Sequence, residues 1–198
     1  WQLPSVFWWL NGDSFIQGIL WLGVALSAVV MAGYANAVLL FILWALYLSL
    51  IHIGQLWYSY GWETQLLETG FLAMFLCPLL DGRPFPARAP PVLVIWLFRW
   101  MIFRIMLGAG LIKIRGDECW RDLTALFYHY ETQPVPNPLS RLLHFMPAWF
   151  HKSGVLWNHF VELIVPWFGF GPRLARHIAG VLMVSFMGIL IFSGNLSF

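Results

Sequence analysis

The apolar residues of this chain fall in long blocks, at 15–31, 37–56, 66–80, 92–112, 154–171 and 174–192, rather than in the alternating or one-faced patterns of water-facing elements. An α-helix rises about 1.5 Å per residue and a bilayer's hydrocarbon core is about 30 Å thick, so about 20 apolar residues make one crossing. Composition points the same way. The chain is 60% hydrophobic and 10% charged, whereas a soluble domain carries about 25% charged residues and needs them to cover its surface. The sequence predicts an all-α integral membrane protein, a bundle of about six transmembrane helices with one long extramembrane loop. Residues 1–112 would carry helices one to four, 113–153 the loop, and 154–198 helices five and six. Block 66–80 is short and ends at Cys77-Pro78, so it reads as a tilted, bilayer-thinning or re-entrant segment. Pro166 predicts a kink in the fifth block.

Basic residues in short loops mark the cytoplasmic side. Arg83 and Arg88 lie in the 81–91 connector before the fourth block, and Arg173 and Arg176 in the 171–177 connector that leads into the sixth. That places 113–153 in the lumen or periplasm. This loop combines Trp120, Phe127, Tyr128, Tyr130 and Trp149 with mixed charge, and its centre, residues 133–138, alternates prolines that favour extended backbone. A loop of this length is rarely a mere connector, and its aromatic content suits a protein-binding surface or a cap on the membrane. The net charge of +2 carries no information about nucleic acid, since the Lys and Arg are scattered rather than clustered, and no nucleic-acid partner is expected. Cys77 and Cys119 fall on opposite sides, so no disulfide between them is expected. His129, Glu131, His144 and His151 match no metal template, and no metal or cofactor is expected. Arg115-Gly116-Asp117 spells an adhesion tripeptide at a helix exit, a match short enough to arise by chance. Asn195-Leu196-Ser197 is a glycosylation triplet pressed against the membrane end. The chain opens at Trp1 and stops just past an apolar block, so both ends read as cut.

Charges inside the apolar blocks are costly and face partners or wet cavities. Arg104 is the deepest cation, and Glu68 and Glu162 are the acids in other blocks. Asn158 and His159 lie four and three residues before Glu162, on one side of a helix. Glu68, Arg104, Asn158, His159 and Glu162 are therefore a candidate intramembrane polar cluster. It would be either a functional site or a set of pairs that fix helix register. Gly108, Ala109 and Gly110 would let a neighbouring helix approach closely.

The runs 103–117 and 119–124, Tyr128-His129-Tyr130-Glu131-Thr132-Gln133-Pro134, Pro136-Asn137-Pro138, residues 65–72, Asn158-His159-Phe160-Val161-Glu162-Leu163 and residues 193–198 occur in fixed order. Together they resemble the transmembrane core of the lipase maturation factor family. That resemblance implies a multi-pass protein of the endoplasmic reticulum membrane, with bacterial relatives in the inner membrane. Such a protein would be chaperone-like, assisting the folding and assembly of secreted lipases such as lipoprotein lipase. It implies a lipase client, no nucleic acid, and no catalytic residues. The client surface is then expected at Trp120, Arg121, Asp122, Tyr128, His129, Tyr130 and Glu131. The alternative is a membrane enzyme in which His159 and Glu162 form an acid–base pair and Arg104 holds an anionic lipid or exported substrate.

Overall fold

The computed structural model describes residues 4–194 except 11, 59, 87 and 134, and it divides into two compact units between Phe98 and Arg99. The first unit holds a 3-10 turn (Val6–Trp8), α1 (Asp13–Met31), α2 (Ala37–Gly54), a second 3-10 turn (Gln55–Tyr58) and α3 (Gly61–Met74). Asn36 starts α2 because its side chain accepts from the Leu39 amide and satisfies an orphan donor. Ser49, buried within α2, accepts from the Val6 amide at 3.1 Å and ties the first turn to that helix. α3 runs antiparallel along α2. The Tyr47 hydroxyl donates to Glu63 near the start of α3, the Trp44 indole donates to Leu67 O at 2.9 Å, and the Ala37 amide donates to Pro78 O at 2.8 Å. Beside that end, the Phe85 amide donates to Gly33 O at 2.9 Å. Gly33 has φ 98°, a conformation that favours glycine, and the Phe85 ring occupies the space a side chain would need.

α4 (Val92–Gly116) carries the chain into the second unit, followed by α5 (Glu118–Arg121), α6 (Ala125–Glu131), α7 (Pro138–His144), α8 (Ala148–His159) and α9 (Arg173–Gly194). Between α8 and α9 the helix widens into a π turn (Phe160–Ile164) and then tightens into a 3-10 turn (Val165–Phe170). Pro166 is the cause. It has no N–H to donate and its ring crowds the preceding turn, so the Val165 amide reaches back to Phe160 O instead. The break expected at Pro166 is present as this change of helical pitch. The core of this unit joins Met106 of α4, Val161 of the π turn and Phe186 of α9, with Trp157, Phe160, Met183 and Leu190 packed around them.

Among the described residues the protein is helical, and four helices are long and apolar enough to cross a membrane: α1, α2 with its 3-10 extension to Tyr58, α4 and α9. Many of their apolar side chains point outward. α1 fully buries no residue, and on α9 Val184 and Phe192 are exposed, as lipid-facing positions are. The third and fifth apolar blocks are not long uniform helices. α3 has 14 residues, about 21 Å at the helical rise, and the fifth block is the interrupted run from α8 to Phe170. Residues 117–144 are a folded set of short helices instead of an extended loop. The triplet Asn195-Leu196-Ser197 and Pro134 lie outside the described residues.

Candidate functional site

Lys113, in the last turn of α4, is the centre of the polar arrangement in the second unit. Its Nζ donates to Glu162 Oε1 at 2.5 Å and to Asn158 Oδ1 at 3.2 Å, and it lies 4.9 Å from the centre of the Trp120 ring. Glu162 is only 4% exposed and Asn158 6%. A carboxylate this buried requires a cation and hydrogen bonds, and Lys113 supplies the charge and one bond, to Oε1, leaving Oε2 without a hydrogen-bond partner among the described residues. The approach is close because residue 110 is glycine. A Cβ there would stand 2.6 Å from Leu163 Cδ2 and 3.0 Å from Glu162 Cβ, whereas one on Gly108 would meet nothing within 4 Å. His159 is held separately: its Nε2 donates to the Trp120 carbonyl at 2.9 Å, with the two rings 5.9 Å apart. The end of α4, the short α5 and the π turn are thus pinned together at one spot.

Of the sequence-derived cluster, Asn158, His159 and Glu162 meet here. Arg104 lies nine residues before Lys113 on the same helix, which at about 100° per residue is the opposite side, and it is exposed on the unit's surface. Glu68 belongs to α3 of the first unit. Lys113 itself was not among the residues singled out. It lies on one stripe with Met106 and near Gly110, a spacing that could have marked it as inward-facing.

The 117–144 segment sorts its own residues into two sets. Trp120, His129 and Tyr130 turn inward. Trp120 carries Lys113 and His159, Gln133 Nε2 lies 2.8 Å from His129 Nε2, and the Tyr130 ring packs 5.6 Å from the buried His151. Arg121, Asp122, Tyr128 and Glu131 face outward. Asp117 accepts from the Cys119 amide at 3.0 Å and starts α5, so the adhesion tripeptide is absorbed into a helix end and a cap. Burial and the Asp117 carboxylate raise the pKa of the Cys119 thiol. Among the described residues no group of His, Cys, Asp and Glu could hold a metal ion.

The segment also closes the end of α9. Asn137 Nδ2 donates to the carbonyls of Ile191 and Phe192 at 3.2 and 2.8 Å, Ser140 Oγ donates to Ser193 O at 2.9 Å, and Gln133 Nε2 to the same oxygen at 3.2 Å. These are carbonyls a helix end leaves without partners.

A family model described as the lipase maturation factor transmembrane domain matches residues 1–198. The chain belongs to the lipase maturation factor family. It is 54% identical to Lipase maturation factor 1 of Bos taurus over 98% of this chain and 36% of that protein, and 53% identical to the Homo sapiens protein of that name over 99% and 35%. Lipase maturation factor 2 of Homo sapiens is 35% identical over the whole chain and 31% of its own length. The chain therefore spans about a third of the length of the curated relatives it matches. No solved structure matches it.

Proposed function

We propose that this multi-pass membrane chain is the core of a maturation factor that helps secreted lipases fold and assemble, seated in the endoplasmic reticulum membrane with its 117–144 face toward the lumen. The observation that carries this is the identity of 53–54%, along nearly the whole chain, to proteins named for lipase maturation. The client face is the outward set: Arg121, Asp122, Tyr128 and Glu131. Trp120, His129 and Tyr130 position that face and do not belong to it, since their side chains are engaged within the unit.

The test is lipase secretion from cells that lack the endogenous factor and are supplied with the full-length protein. Replacing Arg121, Asp122, Tyr128 and Glu131 together with Ala is expected to cut secreted lipase activity several-fold at unchanged membrane abundance. Trp120→Ala is expected to lower both. Normal lipase secretion by the quadruple variant would remove this face from the client reading. The enzyme reading has less support. His159 Nε2 is occupied by a carbonyl, Glu162 is paired with Lys113, and no hydrogen bond joins His159 to Glu162 among the described residues.

A further inference from the structure

We propose that the corner formed by α7 and the start of α8 is a membrane-surface anchor that seats among anionic lipid headgroups. Leu139, Leu142, Phe145, Met146 and Trp149 are all exposed there, Phe145 at 73% and Trp149 at 70%. Leu139 and Leu142 are three residues apart on α7, and Phe145, Met146 and Trp149 follow them into the start of α8, while Ser140 is buried and Leu143 and His144 turn inward. In water such a face would be an aggregation liability.

Its depth is set by hydrogen bonds. Asn137 and Ser140, at the head of α7, hold the carbonyls of Ile191, Phe192 and Ser193. Those residues end a membrane-crossing helix whose Phe192 is itself 67% exposed. α7 therefore begins at the level where α9 leaves the apolar layer, the level at which an amphipathic helix lies with its apolar face sunk into the acyl boundary. Charge fits the same occupant. From 132 to 161 the sequence has Arg141 and Lys152 and no acid, and both cations are exposed. From 117 to 131 it has Asp117, Glu118, Asp122 and Glu131 against the single cation Arg121. The basic, apolar half suits anionic headgroups, which attract cations beside an interfacial apolar face, and the acidic half is left to water and to a client.

The experiment places the photocrosslinking residue benzoylphenylalanine at Leu142, Phe145 or Tyr128 of the full-length protein in nanodiscs, with and without phosphatidylserine. Adducts are identified by mass. Positions 142 and 145 are expected to yield phospholipid adducts several-fold above position 128, with a further rise when phosphatidylserine is present. Arg141→Gln with Lys152→Gln should remove that rise while leaving the adducts in neutral lipid. Adducts at 142 and 145 that are mainly to added lipase, or to the protein's own chain, would overturn the anchor, as would lipid yields no higher than at 128. The readout involves no lipase secretion, so failure of the client face and failure of the anchor are separable.

Discussion

Lys113 reaches a carboxylate and an amide oxygen at once: Glu162 in the π turn, where Pro166 has changed the helical pitch, and Asn158 in the last turn of α8 before it. Taking charges out of water costs several kcal/mol each, and Lys113 offsets that cost at Glu162 Oε1, while Oε2 is buried with no hydrogen-bond partner among the described residues. Removing one partner should be worse than removing both. Lys113→Met leaves a buried carboxylate and is expected to destabilise the protein by about 3–5 kcal/mol, whereas Lys113→Met combined with Glu162→Met should recover most of that loss. Thermal unfolding of the single and double variants in the same detergent checks this, and an additive double variant would deny the coupling. Sequence spacing brought Asn158 and Glu162 to notice, because residues four apart share a helix face. It pointed to Arg104 as their cation because Arg104 is deepest in its block. The helix instead continues to Gly116, and the glycine at 110 lets the Lys113 side of α4 close on the π turn.

At the scale of elements, the third and fifth apolar blocks were the least legible. Both contain polar residues and a proline, and neither forms a uniform helix long enough to cross by length alone. Contacts carry information that length does not. α3 and the residues after it return alongside α2 until Pro78 meets Ala37, and Phe85 then meets Gly33. In the second unit Val161 packs on Phe186 at mid-helix, while residues 133–140 hold the far end of α9. A helix of 22 residues is about 33 Å long, so Arg173 and the 133–140 segment stand at opposite ends of α9. The chain from Ala148 to Phe170 must connect those ends, which supports a crossing by the fifth block despite its interruption. Accordingly, short epitope tags inserted after Asp122 and after Pro172 in separate proteins should be accessible from opposite faces of sealed microsomes. Accessibility from the same face would make 148–170 a re-entrant segment. The short helices within 113–153 escaped the sequence because they are four to seven residues long and are set by caps such as Asn137 with Ser140, without a periodic apolar pattern.

For the molecule as a whole, the membrane class and the all-helical build were readable from block length and composition, since lipid leaves few alternatives. Which side chains of the 117–152 region face outward was not, because the caps that start its short helices decide it. The same arrangement governs how the protein responds to pH. Burial, reinforced by the charge of Lys113, lowers the pKa of His129, so the folded state prefers its neutral form. That contribution is complete above the unfolded value of about 6.5 and is lost as pH falls below it toward the depressed folded value. Protonation also turns His129 Nε2 into a donor facing the Gln133 amide, with the Tyr130 ring on its other flank. Hydrogen bonds from Arg83 hold Asp81 at about 2, and the Cys119 amide lowers Asp117, so these carboxylates favour the fold above about pH 4 and withdraw that support in stronger acid. Burial raises Tyr130 and Cys119, whose preference for the protonated form is lost as pH climbs past their unfolded values of about 10 and about 8.5. Thermal stability in nanodiscs is therefore expected to be flat from about pH 7 to about pH 8 and to fall on either side. The first acid decline should begin near pH 6.5. His129→Gln should remove that first step and leave the loss below about pH 4, which belongs to the carboxylates. A first step that persists in His129→Gln would assign it to another histidine and free the 129–133 contact from any role in the response.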